Sequence, residues 1–116
     1  MTTSTLGPVG VIGLGIMGSG IAGHLQQAGH RVIGVEIDAA ARDRLAGRLS
    51  ACVDSAAQLP AGVARLVSSL PSAAALDSVC DALIATAPSP AGRGRAVLAE
   101  TSTLPIADKC RARERL

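Results

Sequence analysis

The apolar run that begins Val9-Gly10-Val11-Ile12 carries no charge, follows Pro8 and stops at closely spaced glycines, which predicts a buried strand over about Val9 to Leu14. The period then changes. Ile21, Leu25 and Ala28 recur at helical spacing until Gly29, which predicts a helix from about Met17 to Ala28. Arg31 to Ile37 is a second β-rich run, and Ala39 to Leu49 reads as a second helix. Beyond it, Asp54 to Leu59 has the makings of a short helix. Leu59-Pro60-Ala61-Gly62 punctuates the chain, and Val63 to Leu70 forms a further apolar strand that ends at Pro71. Ser72 can cap the Ala-rich helix expected from Ala73 to Ala87. Pro88 to Gly94 reads as a loop, Ala96 to Ala99 as a short strand, and Pro105 as the start of the last helix.

Strands that alternate with helices imply an α/β fold with a parallel sheet, and such sheets bind ligands at the carboxyl ends of their strands. The chemically distinctive residues of this chain collect there. Gly13-Leu14-Gly15-Ile16-Met17-Gly18 follows the first strand, Glu36 closes the second, Leu70-Pro71 ends a later one, and Ser102-Thr103 follows the last. In the glycine run, Gly13 permits a sharp turn and Gly15 lets backbone approach a pyrophosphate. Gly18 lets the helix pack against its strand. Unpaired N–H groups at the helix start face the phosphates. Glu36 lies about 20 residues beyond, where the acid that accepts the adenosine ribose hydroxyls is expected. Taken alone, the glycines also suit an ordinary strand-to-helix turn, and Glu36 a solvated acid at a strand end. The order strand, turn, helix, strand, acid favours a dinucleotide site.

Composition narrows the picture. One hundred and sixteen residues are one domain's worth, and the absence of Phe, Tyr and Trp leaves a core of Val, Ile, Leu and Ala. A formal charge of +2 with no aromatic-interleaved basic stripe argues against nucleic acid as a partner. The basic tail Lys109, Arg111, Arg113 and Arg115 reads as a polar helix face. Cys52, Cys80 and Cys110 are odd in number and never in CxxC spacing, so neither a disulfide framework nor a metal site is indicated. That usage fits a reducing, cytoplasmic setting. His24 and His30 have no partner at ligand spacing. Met1 to Thr5 lacks a signal peptide's positive region. The uncharged stretch Leu6 to Gly23 falls short of a membrane span and holds Pro8 and seven glycines.

Three motifs together resemble the N-terminal domain of the β-hydroxyacid dehydrogenases, the group that includes 3-hydroxyisobutyrate dehydrogenase and is related to 6-phosphogluconate dehydrogenase. They are Val11 to Gly18 with Ala22 and Leu25, Ser69-Leu70-Pro71, and Glu100-Thr101-Ser102-Thr103-Leu104-Pro105. Met17 makes the first distinctive. The third is similar to the family's DxSTxxP substrate motif, with Glu100 replacing the usual Asp. The resemblance implies a Rossmann-like parallel sheet flanked by helices, incomplete relative to the family. It further implies that Gly13, Leu14, Gly15, Ile16, Met17 and Gly18 cradle the pyrophosphate and that Leu70 and Pro71 border the cofactor. Thr103 is expected near the nicotinamide, and Ser102 on the carboxylate of a small hydroxy acid substrate. A plain ST-turn capping the last helix is the alternative for Ser102 and Thr103.

Glu36 repels a 2′-phosphate and is followed by Ile37, where NADP-using relatives often carry arginine, so NAD is the expected cofactor and NADP the less favoured one. Arg42 is within reach of a 2′-phosphate. The family's catalytic lysine segment has no counterpart in these residues, where Lys109 is the single lysine and sits in no glycine motif. No catalytic residue is therefore assigned. Residues 1–116 are expected to be one dinucleotide-binding domain, truncated, without the family's all-helical catalytic domain. Such a chain is expected to bind cofactor without turnover. The alternative is a non-catalytic nucleotide-binding module or degenerate fragment, with a second copy or a partner chain covering the open sheet.

Overall fold

In the computed structural model, residues 7–60, 62–86 and 96–116 are described. Residues 1–6, Ala61, Ala87, the expected Pro88 to Gly94 loop and Arg95 lie outside them. The elements run β1 (Val9–Ile12), α1 (Ile16–Gln27), β2 (Val32–Val35), α2 (Ala39–Leu45), β3 (Ala51–Val53), β4 (Arg65–Ser68), α3 (Ala73–Thr86), β5 (Val97–Glu100) and α4 (Ile106–Arg115). One 3-10 turn, Ala56–Gln58, precedes β4. The five strands form a parallel sheet in the order β3-β2-β1-β4-β5. That order reverses direction at β1, between β2 and β4. The crevice above that point is where such a sheet takes a ligand.

All four residues of β1 and of β2 are buried, as helix layers on both faces of a parallel sheet require. Alternation divides their side chains between two cores. Val9, Val11 and Val32 pack with Leu14, with Ala22 of α1 and with Leu49. On the opposite face Ile12, Ile33, Val35 and Leu66 meet Ala56, Leu59, Val63 and, from α3, Leu83. A third, smaller cluster joins α3 to α4 through Leu76, Cys80 and Ala112. The basic tail of α4 is turned onto the acids of α3: Arg111 pairs with Asp77 as well as Asp108, and Arg115 with Asp77 and Asp81.

The structure departs from the sequence pattern at the sheet's first edge. Helix α2 stops at Leu45 rather than Leu49, because the chain turns through Gly47 at φ +83°. Leu49 leaves the helix and enters the core at 8 % exposure. The next three residues then pair with β2 as β3, in the register Ile33↔Ala51, Gly34↔Cys52, Val35↔Val53, a strand the pattern did not contain. Three residues are too few to show a period, and β2 supplies the ladder that holds them. The expected helix at Asp54 to Leu59 contracts to the 3-10 turn, capped by the Ser55 hydroxyl, which accepts the Ala57 N–H. Strand β5 sits one residue later than expected and carries Glu100 as its last member.

Candidate functional site

A cavity of about 660 Å³ opens at the carboxyl ends of the strands, between the start of α1, the end of β2, the turn after β3 and the chain leaving β4. That size suits a small-molecule or cofactor site. Gly13, Gly15, Ile16, Met17, Glu36, Leu70 and Pro71 all line it, so seven residues singled out from the sequence converge on one cleft. Leu14, Gly18, Ser102 and Thr103 are not in its lining. Leu14 is a core residue at 2 % exposure, and Gly18 packs beneath the loop.

The glycines divide sharply by what a side chain at each would meet. Gly13 has φ +91°, and a Cβ there would stand 2.1 Å from the Ser69 carbonyl oxygen. A Cβ on Gly18 would stand 1.7 Å from the carbonyl oxygen of Gly13. Both therefore serve the fold: they allow β1, α1 and the chain after β4 to approach. Gly15 is different, with nothing within 4 Å of the corresponding position. It leaves room for a ligand instead. As the N-cap of α1 it also offers no side-chain oxygen to the first-turn amides, and no acid occupies that turn. Those N–H groups and the positive end of the helix dipole are free to meet an anion.

Glu36 is half-buried at the end of β2. Its Oε1 accepts the Leu14 N–H at 2.9 Å and its Oε2 accepts the Asp38 N–H at 2.9 Å. The carboxylate thus ties the glycine loop to the start of α2, and Glu36 lines the cleft. The Leu14 amide is consequently engaged inside the protein. Arg42 reaches back from α2, and its Nη1 donates to the carbonyl oxygens of Glu36 at 2.8 Å and Ile37 at 3.0 Å. Ile37 is 87 % exposed at the rim.

Across the cleft, the chain leaving β4 contributes Ser69, Leu70 and Pro71. Ser102 lies behind that wall, 6 % exposed, and its hydroxyl accepts the Leu70 N–H at 2.6 Å while donating to the Glu100 carboxylate. Thr101 donates to the carbonyl of Ser68 through both its N–H and its hydroxyl. Thr103 is exposed. The sequence pattern does not point to Asp54, Ser55 and Ala56, which form the cleft's floor beyond Glu36. They follow β3, and without that strand nothing in the pattern carries them to the sheet's carboxyl edge.

A parallel sheet of this order, with a glycine turn whose middle glycine faces open space, a bare helix start and an acid on the neighbouring strand, has the parts of a dinucleotide site. The family model described as the NAD binding domain of 6-phosphogluconate dehydrogenase matches residues 8–116. The chain belongs to that family. It is an NAD(P)-binding, Rossmann-like domain. Among curated proteins none matches. Solved structures show the same fold. A 3-hydroxyisobutyrate dehydrogenase from Salmonella typhimurium is 23 % identical with a TM-score of 0.70, over 94 % of this chain and 39 % of its own. A reductive aminase from Aspergillus terreus, determined with NADPH4, cyclohexanone and allyl amine, is 20 % identical with a TM-score of 0.75. That match covers 96 % of this chain and 37 % of the aminase. The chain thus spans less than two-fifths of these relatives' length. Among the described residues no helix is long and apolar enough to cross a membrane.

Proposed function

We propose that this domain is the cofactor-binding portion of an NAD-dependent dehydrogenase acting on a small hydroxy acid of the 3-hydroxyisobutyrate type. Bound in the cleft, the nicotinamide supplies hydride transfer. The chain's own residues hold and orient it: the α1 start and Gly15 receive the pyrophosphate, Glu36 the adenosine ribose, and Leu70-Pro71 the opposite wall. Within these residues no lysine stands in the cleft to move a proton, since Lys109 pairs with Glu100 at 4.0 Å. On this reading the 116-residue chain binds cofactor without turning over substrate, and chemistry requires residues outside it.

The observation that carries the preference for NAD is the fate of the two charges at the adenosine end. The Glu36 carboxylate lines the cleft, so a 2′-phosphate placed against it meets like charge. Arg42, the nearest candidate to neutralise that phosphate, is held by two backbone carbonyls. Titration with NADH and NADPH, followed by the emission of the reduced nicotinamide, tests both points. NADH is expected to bind at least about tenfold more tightly, as one like-charge contact implies. Glu36→Gln is expected to narrow that ratio mainly by improving NADPH. Tighter NADPH binding by the unaltered chain refutes the preference.

A further inference from the structure

We propose that Asp54 reads the base of the dinucleotide, accepting the exocyclic amine of adenine and so selecting a 6-aminopurine over a 6-oxopurine. This role of Asp54 rests on the cofactor reading of the cleft given above.

The parts of a dinucleotide spread outward along the strand ends. The turn after β1 is set for the pyrophosphate and Glu36 at the end of β2 for the adenosine ribose, so the base on that ribose falls beside the next strand out. That strand is β3. The Glu36 N–H donates to the Val53 carbonyl at 3.0 Å, in the register that pairs Val35 with Val53, and the residue after Val53 therefore stands beside Glu36. It is Asp54, and it lines the cleft.

Asp54 differs from the two other acids at strand ends in what its carboxylate holds. Glu36 accepts two backbone amides and Glu100 accepts the Ser102 amide, whereas among the described residues no donor reaches the Asp54 side chain. Only its backbone N–H is engaged, by Oε1 of Gln58 at 3.3 Å. The 3-10 turn that follows takes its cap from the Ser55 hydroxyl and not from Asp54, so the fold makes no use of this carboxylate. It is an acceptor without a partner, set in a cleft.

Ser55 adds the complementary group. Its hydroxyl accepts the Ala57 N–H and still has a proton to give, so Asp54 and Ser55 line the cleft as an acceptor next to a donor. Adenine matches that pair, because its exocyclic amine donates and the adjoining ring nitrogen accepts. Hypoxanthine carries the reverse, a carbonyl oxygen beside a ring N–H, and would set oxygen against carboxylate. Ile37 at the rim and Ala75 and Val79 of α3 line the same cleft and offer apolar surface to the faces of the ring.

The experiment titrates the full chain with NADH and with reduced nicotinamide hypoxanthine dinucleotide, both followed by the emission of the nicotinamide, and repeats the pair on Asp54→Ala and Asp54→Asn. The two ligands differ only in the purine. The unaltered chain is expected to bind NADH about tenfold more tightly, as one hydrogen bond to a charged group implies. Asp54→Ala is expected to bring that ratio within about twofold by weakening NADH. Asp54→Asn narrows it by strengthening the analogue, since an amide accepts from an amine or donates to a carbonyl, and it carries the comparison should Asp54→Ala not fold. A loss shared equally by both ligands in Asp54→Ala leaves the ratio intact and overturns the proposal. Equal binding of the two ligands by the unaltered chain also overturns it, while the cofactor reading stands. Binding of neither ligand refutes the cofactor reading and the role of Asp54 with it.

Discussion

The two sides of the cleft solve one problem by different means. On the β2 side, Glu36 stands at a strand end and takes the Leu14 amide of the neighbouring loop directly, with its carboxylate still in the cleft lining. On the β5 side, Glu100 also stands at a strand end, but reaches the neighbouring loop only through Ser102, and its carboxylate lies behind the wall. One acid therefore both braces the fold and lines the cleft, while the other braces from behind it. The difference follows from position in the sheet. Strands β1 and β2 are buried throughout and their loops converge at the reversal point, whereas β5 is an edge strand with alternating exposed positions. A strand-end acid is thus not evidence of ligand contact by itself. Whether it lines the cleft decides.

The largest test of the β1 side separates the glycines that build it from the one that leaves open space in the cleft. Gly18→Ala forces a Cβ onto the Gly13 carbonyl, and is expected to cost about 3 kcal/mol or more of stability in denaturant unfolding. Gly15→Val adds a side chain where the protein has open space, so its stability is expected to fall by only about 1 kcal/mol, the cost of a poorer N-cap. Its NADH affinity is expected to fall at least about tenfold, or about 1.4 kcal/mol, because the valine occupies the anion's place. Similar stability losses in the two variants would erase the distinction.

A smaller effect probes the packing behind the β4–β5 side. Burial pushes the Cys80 thiol above its ordinary range, with Asp77 and Asp81 acting in the same direction and Arg115 against them. In the unfolded chain that thiol ionises above about pH 8.5, while in the folded chain it keeps its proton. The folded state then binds more protons than the unfolded one, so stability falls as pH rises through this window and is unaffected below it. Unfolding midpoints between about pH 8 and 10 are expected to decline less steeply in Cys80→Ala than in the parent. An identical slope would place the cluster of Leu76, Cys80 and Ala112 outside the protected core.

Much of the β1–β2 side of the cleft is legible in the amino-acid order alone. The turn at Gly13, the open face at Gly15, the close packing at Gly18 and the acid at Glu36 are local requirements, set within one βαβ unit by the absence of a Cβ or by spacing. The continuous apolar runs of β1 and β2 likewise mark strands buried on both faces. The α/β class and the helices follow from the same local signals, whereas Leu70-Pro71 as a border of the site is what the family resemblance implies. Edge strand β3 is not legible, because three residues carry no period and pair only where β2 offers a ladder. Asp54, Ser55 and Ala56 are hidden with it. The bond from Leu70 to Ser102 spans 32 residues, and the partner of a hydroxyl proton depends on which carboxylate the fold brings near. By itself, the sequence of this protein determined the strand-turn-helix unit and the residue types at the start of its first helix, since these are steric and local. Only the tertiary structure decided which of two strand-end acids lines the cleft and which lies behind its wall, since that depends on contacts between strands far apart in the chain.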